Sequence, residues 1–123
     1  MRKVVVYFEK STHIKDVFDY AVTNEEKTIG LSGQDEMKQL AFYYPVKEDA
    51  QNIVFIMPDM LFDLDLIFID SHGVIRQISR LSASEPEECA VPPFDTKYVL
   101  EVQCGFIEYR NIFVGQKVFI KLI

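Results

Sequence analysis

The sequence has no tryptophan and only two cysteines, Cys89 and Cys104, so at most one disulfide could form. A chain of 123 residues that is 49% hydrophobic has enough apolar surface to form a core without a disulfide. We therefore expect two reduced thiols. The apolar run that follows Lys3 ends at Phe8, which makes it too short for a secretory signal. These features predict a cytoplasmic protein.

A membrane-spanning segment is also missing. The most apolar stretch is Ile53–Ile69, but Pro58, Asp59, Asp63 and Asp65 interrupt it. A spanning helix needs about 20 largely apolar residues, so no membrane span is expected.

The sequence shows no cluster of basic residues, and its formal net charge is −6. Affinity for nucleic acids depends largely on Lys and Arg side chains that neutralise phosphates, so direct binding of DNA or RNA is disfavoured. A protein partner is expected instead, and a basic one is electrostatically easier. The scattered basic residues include Arg2, Lys3, Lys15, Lys27, Lys38, Arg76, Arg80, Arg110 and Lys117.

The usual motifs of nucleotide-binding proteins and hydrolases are absent: no GxGxxG, Walker-type loop, CxxC, HExxH or GxSxG occurs. His13 and His72 lie in predicted turns without metal or triad spacing. The spacing of the aspartates between Asp59 and Asp70 fits no calcium loop. We therefore expect no metal, no cofactor and no catalytic residue.

The chain does contain a series of short patterns rich in β-branched and aromatic residues, which are typical of strands. Because Ile53–Met57 is apolar at every position, it predicts a buried central strand, whereas Ser82–Pro93 predicts a surface loop. The predicted strands are Lys3–Phe8, Ile14–Val22, Leu40–Tyr44, Ile53–Met57, Leu64–Ile69, Val74–Ile78, Tyr98–Gln103 and Lys117–Ile123.

One helix is predicted after the second strand. Thr23 and Glu26 form a capping-box pattern, and Gly30 or Gly33 offers a left-handed stop two to three turns later. Together with the strands, this helix predicts one domain over residues 1–123. Its class is α+β, mainly β, with a mixed, curled or barrel-like sheet and one or two short helices.

The clearest local signal is a β-hairpin at Leu64–Ile78, with its turn at Asp70–Gly73. The order LDLIFIDxxGVI at Leu64–Ile75, followed by YVLEVxCG at Tyr98–Gly105, resembles the Domain of Unknown Function 192 family. The capped helix at Thr23–Leu31 agrees with that family's pattern. The resemblance implies a small α+β domain with a barrel-like sheet and, as the family name says, no established biochemical role.

The chain departs from that family just before the hairpin. Where the resemblance predicts a WMKNT box, this sequence has Ile56-Met57-Pro58-Asp59-Met60. The backbone-shaping glycines of the family are kept, whereas the polar and aromatic positions that could bind a ligand are replaced. We therefore transfer no ligand site from the family to this chain.

Two carboxylates, Asp65 and Glu101, each lie inside an otherwise apolar strand, where a charge is costly unless it is paired. They could share a polar niche that supports acid–base chemistry, or each could anchor neighbouring backbone N–H groups, which is the commoner role. The candidate binding residues are Met57, Asp59, Asp65 and Glu101.

Two hypotheses follow. The first is a small acidic, non-catalytic binding or regulatory domain that acts through protein–protein contact. The second is an uncharacterised enzyme or small-molecule binder with a pocket around Asp65 and Glu101. The second requires the two carboxylates to lie within about 10 Å of each other. The missing motifs and the altered box favour the first.

Overall fold

Nine strands and two helices form the described part of the chain, which in this computed structural model comprises residues 2–10, 15–30, 38–45, 50, 53–57 and 60–123. The strands are β1 (Arg2–Phe8), β2 (Asp16–Ala21), β3 (Leu40–Tyr43), β4 (Phe55–Ile56), β5 (Leu64–Asp70), β6 (Ile75–Leu81), β7 (Cys89–Ala90), β8 (Thr96–Gln103) and β9 (Val118–Leu122). The helices are α1 (Asn24–Ile29) and α2 (Phe106–Arg110).

Seven strands form the main sheet in the order β6-β5-β8-β3-β2-β1-β9, and β4 pairs with β7 in a separate small sheet. Within the main sheet only the β2–β3 pair is parallel. The two edge strands approach each other at one end, where Val74 pairs with Lys117 and the Val118 N–H donates to the Gly73 carbonyl at 2.7 Å. The sheet is therefore a curled half-barrel, and the predicted α+β fold class is confirmed.

The inner face of this curled sheet holds the larger core. Side chains from both edge strands, such as Ile75 and Val118, meet there with those of the central strands. Helix α2 packs against this core. Its Phe106 ring lies edge-on to Phe8 and Phe18 at centroid distances of 5.9 and 6.4 Å. These contacts fix α2 across the mouth of the half-barrel.

A second core covers the outer face over β3, β5 and β8, and it also includes Leu81 of β6 and Ala21 at the end of β2. Phe55 of the small sheet lies edge-on to Phe42 and Phe68, with centroid distances of 5.6 and 5.9 Å. Met57 and Leu66 are buried in the same cluster. The small sheet is thus a cover for one half of the outer face.

The capping box is present as predicted. The Glu26 N–H donates to the Thr23 hydroxyl at 3.0 Å, and the Thr23 N–H donates to Glu26 at 3.1 Å. Helix α1 ends at Gly30, whose φ of 49° suits glycine. The predicted length of two to three turns is wrong, because α1 has only 6 residues. Gly33 lies outside the described residues.

The predicted hairpin is confirmed as β5 and β6, and Gly73 in its turn has a φ of 79°. The buried central strand predicted at Ile53–Met57 is wrong. Only Phe55–Ile56 is a strand, and it pairs with β7 outside the main sheet. Val54 and Ile56 are 51% and 58% exposed, so this segment has one buried face rather than two.

Two further elements differ from the sequence prediction. The loop predicted at Ser82–Pro93 contains β7, and its Ala90 is buried against the second core. Helix α2 was not predicted, because it is short and preceded by Gly105 with a φ of 99° rather than by a capping side chain. No helix in the part of the chain that the structure describes is long and apolar enough to cross a membrane.

Candidate functional site

Asp65 joins β5, β6 and α2 in one buried cluster. Its side chain is fully buried, and the Arg80 guanidinium donates to its two carboxylate oxygens at 2.6 and 3.0 Å. The backbone N–H groups of Gly105 and Ile107 donate to Oδ2 at 3.0 and 3.4 Å. Arg80 also donates to both oxygens of Glu108 at 2.8 Å. These contacts satisfy the carboxylate, as a buried charge requires.

The charges in this cluster support one another. Hydrogen bonds to Asp65 and Glu108 raise the pKa of Arg80 above its ordinary value. The Arg80 hydrogen bond in turn lowers the pKa of Glu108. Arg80 and Glu108 are therefore held in their charged forms around Asp65, which is the pattern of a structural ion-pair cluster rather than of an acid–base pair.

Glu101 lies in a very different environment on the outer face. It pairs with Leu40 of β3 and Leu66 of β5, and it is only 6% exposed. Its Oε1 atom lies 3.5 Å from the point where a Cβ atom on Gly30 would sit, so its carboxyl group reaches the end of α1. Burial raises the pKa of Glu101 from 4.5 to about 8. The carboxyl group is therefore largely protonated at neutral pH.

Of the two alternatives for Asp65 and Glu101, the shared polar niche is wrong, whereas Asp65 does anchor neighbouring backbone N–H groups. In the β5–β8 pair, Asp65 is opposite Val102 and Leu66 is opposite Glu101. Because neighbouring residues of a strand point to opposite faces, Asp65 faces the inner side of the sheet and Glu101 the outer side. A pocket cannot contain both carboxylates.

Of the other two candidate residues, Met57 lies on the outer side of the sheet and Asp59 is not described. Met57 is 1% exposed and belongs to the second core, on the same side of the sheet as Glu101. Asp59 lies outside the described residues. Whether Met57, Asp65 or Glu101 contacts a ligand stays a prediction, but Asp65 already uses its oxygens within the fold.

Other parts of the described chain hold no obvious reaction centre. Cys89 and Cys104 are free thiols, as expected from the sequence. No group of three or more His, Cys, Asp or Glu side chains among the described residues could hold a metal ion. A cavity of about 290 Å³ opens beside Tyr44 and Lys97, with Pro45, Ser71 and Asp95 around it.

A feature that the sequence reasoning missed lies on the uncovered half of the outer face. The strands β2, β1 and β9 are neighbours there, and Tyr7 is directly opposite Phe119. Phe119 is 52% exposed and Val17 is 48% exposed. We call this surface the outer sheet face, and its residues are Lys3, Val5 and Tyr7 of β1, Val17 and Asp19 of β2, and Phe119 and Lys121 of β9.

Lysines surround the aromatic centre of the outer sheet face. The Lys15 ammonium lies 5.7 Å from the centroid of the Tyr7 ring, and Lys117 lies 5.9 Å from that of Phe119. Lys3 forms an ion pair with Asp19 at 2.5 Å. Strand pairing thus brings to one surface lysines that are scattered in the sequence, although the Lys117 ammonium also donates to the His72 carbonyl. The signal was the alternation of Lys3, Val5 and Tyr7, but only strand pairing brings β9 beside them.

Comparison with known proteins agrees with this fold. The model of the Domain of Unknown Function 192 family, described as "Uncharacterized ACR", matches residues 6–120. The chain belongs to this family. The resemblance inferred from the hairpin and the capped helix is thus confirmed.

One relative in the Domain of Unknown Function 192 family is a UPF0127 protein from Thermococcus sibiricus (strain DSM 12597 / MM 739), which is 33% identical over 79 residues. The match spans 64% of this chain and 49% of that protein, so the chain matches about half of its relative's length.

Two solved structures share the fold. A Sinorhizobium meliloti 1021 protein described as a "putative transcription regulator" has a TM-score of 0.80 and 20% identity, covering 96% of this chain and 92% of its own. A protein of unknown function from Novosphingobium aromaticivorans DSM 12444 has a TM-score of 0.75 and 24% identity, covering 95% and 83%. At these identities the likeness shows the fold alone.

Replacing Asp65 tests its structural role. The Asp65→Asn variant should lose about 2–4 kcal/mol of unfolding free energy, because Arg80 keeps only Glu108 and two backbone N–H groups lose a charged acceptor. Asp19→Asn is the matched control, since it removes an exposed ion pair worth at most about 1 kcal/mol. Urea denaturation measures both. Equal losses in the two variants would contradict the role.

Replacing Glu101 tests its protonation. The unfolded chain loses this proton near pH 4.5 and the folded protein near pH 8, so unfolding releases a proton between these values and stability falls as pH rises. Glu101→Gln removes this loss. The unfolding free energy of Glu101→Gln minus that of the unmodified protein should therefore increase from pH 5 to pH 8, as measured by urea denaturation across about that range.

The matched variant for this measurement is Glu108→Gln. Arg80 lowers the pKa of Glu108, so its contribution to stability is lost as pH falls rather than as pH rises. From about pH 5 to pH 8 Glu108 is ionised in both the folded and the unfolded chain, so the free-energy difference for Glu108→Gln should stay constant over that range and change only below about pH 4.5. A pH-independent difference for Glu101→Gln would show that this carboxyl group is ionised in the folded protein.

Proposed function

We propose that this chain is a small, acidic, non-catalytic binding or regulatory domain that acts in the cytoplasm by contacting another protein through the outer sheet face. The observation that carries the proposal is the uneven cover of the main sheet. Over β3, β5 and β8 the outer side is buried under the small sheet, whereas over β2, β1 and β9 large apolar side chains remain exposed.

The composition of the outer sheet face is suited to protein contact. Tyr7 and Phe119 are paired across adjacent strands, and a pair of aromatic rings provides a large apolar area on a rigid support. Contiguous exposed apolar surface rimmed by charged residues is typical of interaction sites. The sheet holds these side chains in place, so little ordering is needed when a partner binds.

The alternative function, an enzyme or small-molecule binder with a pocket around Asp65 and Glu101, receives no support from the arrangement of these residues. The two side chains lie on opposite faces, and Asp65 is fully engaged with Arg80 and the start of α2. Tyr44 lies near Glu101, and burial raises the pKa of its phenol above the ordinary value.

Photo-crosslinking tests the protein-contact proposal. p-Benzoylphenylalanine is placed at Phe119 of the full chain expressed in cells of its source organism. We expect a discrete protein adduct, because the ring at this position faces the proposed partner. The matched control places the same group at Phe94, which is 71% exposed but lies outside the outer sheet face.

An adduct that forms from position 119 and not from position 94 supports the proposal. No adduct from position 119, or the same adducts from both positions, would overturn it.

A further inference from the structure

The free edge of β9 lies beside the outer sheet face. Strand β9 pairs with β1 on one side, where the Glu9 N–H donates to the Lys117 carbonyl and the Ile123 N–H donates to the Lys3 carbonyl. In an antiparallel pair, alternate residues direct both backbone groups to the same neighbour. Ile120 and Leu122 therefore direct their N–H and C=O groups away from β1.

The Val118 N–H group shows that the backbone groups of this set of residues point away from β1. This N–H group donates to the Gly73 carbonyl at 2.7 Å, on the side away from β1. Beyond Val118, the described residues supply no backbone partner on that side of β9. Ile120 and Leu122 thus present unpaired backbone groups to an added strand, which is the geometry used when an extended peptide extends a sheet.

The net charge of the outer sheet face indicates which charge a strand added to β9 should carry. Four lysines, Lys3, Lys15, Lys117 and Lys121, lie on or beside it. The carboxylates beside them are Asp19, which is paired with Lys3, and Glu9, which lies opposite Lys117, so the local net charge is about +2. The chain as a whole carries −6, so the rest of the molecule is strongly acidic. The outer sheet face is therefore the positive pole of the molecule.

An added strand would place alternate side chains next to those of β9. Its residues opposite Lys121 and Phe119 would lie on the outer sheet face, about 5 Å away. A carboxylate would be favoured beside Lys121. The residues between the carboxylates of the added strand would lie on the other side of the sheet, beside Ile120 and Leu122, where apolar side chains are favoured. A second copy of β9 would instead add its own lysines to the same positively charged surface, which disfavours pairing between copies.

Building on the proposed function, we propose that the partner presents an extended acidic segment that pairs with β9 at Ile120 and Leu122 and lays alternate carboxylates against the lysines of the outer sheet face. A nucleic acid fits less well. It cannot pair with a strand edge, and the acidic remainder of the chain repels a long polyphosphate.

A defined peptide tests this inference on the full chain. The probe is a fluorescein-labelled octapeptide of alternating Glu and Val, and binding is measured by fluorescence anisotropy. A block peptide, in which all the Glu residues precede all the Val residues, has the same composition without the alternation. A dT12 oligonucleotide tests the nucleic-acid alternative. We expect the alternating peptide to bind at least roughly tenfold more tightly than either control, with an affinity that falls as salt rises.

Two variants locate the contact. Leu122→Pro removes an N–H group that makes no bond to β1, and should weaken binding about fivefold relative to Leu122→Ala, which keeps that group. Lys121→Glu should weaken it by about tenfold, because attraction becomes repulsion. Urea denaturation of each variant verifies that the fold is intact.

The inference is overturned if the block peptide or dT12 binds as tightly as the alternating peptide, or if Leu122→Pro and Leu122→Ala bind equally. If position 119 still crosslinks to a protein in that case, the protein-contact function stands and only the acidic strand is wrong. If crosslinking fails as well, both proposals are wrong.

Discussion

The buried carboxylate of Asp65 is the constraint on which the arrangement of this domain depends. A charge inside an apolar strand must be neutralised and hydrogen-bonded, and here Arg80 of the neighbouring strand and the first N–H groups of α2 do so together. This requirement holds α2 against the inner face, where Phe106 fills the curl of the sheet. A second pair, Arg110 with Asp16 at 2.8 Å, attaches the other end of α2 to β2. The short helix is thus tied to both halves of the half-barrel.

The inner face is filled in this way, whereas the outer face is covered only in part. The small sheet covers half of the outer face, and Glu101 and Met57 are buried in that half. The other half carries Tyr7, Phe119 and the lysines around them. Phe55 and Met57 belong to the cover of the first half.

The sequence was sufficient for the elements whose signals are local. Runs of β-branched and aromatic residues located β1, β5 and β8. The Thr23–Glu26 spacing located the start of α1, because capping depends on neighbours within one turn. Signals that depend on strand register were not accessible. Whether Asp65 and Glu101 lie on the same face depends on which residue of β8 is opposite Asp65. A shift of one residue in this pairing would place Glu101 on the same face as Asp65. The pairing of Tyr7 with Phe119 joins the two ends of the chain, and no local pattern predicts it.

The central claim is that this domain works through the outer sheet face rather than through the buried carboxylates. The most direct test is NMR of the uniformly ¹⁵N-labelled chain, with and without an extract of its source cells. The account predicts selective loss of amide signals along β1, β2 and β9, strongest at Ile120 and Leu122, with the signals of Gly30, Tyr44 and Glu101 unchanged. Selective loss around Gly30, Tyr44 and Glu101, with β9 unaffected, would contradict it.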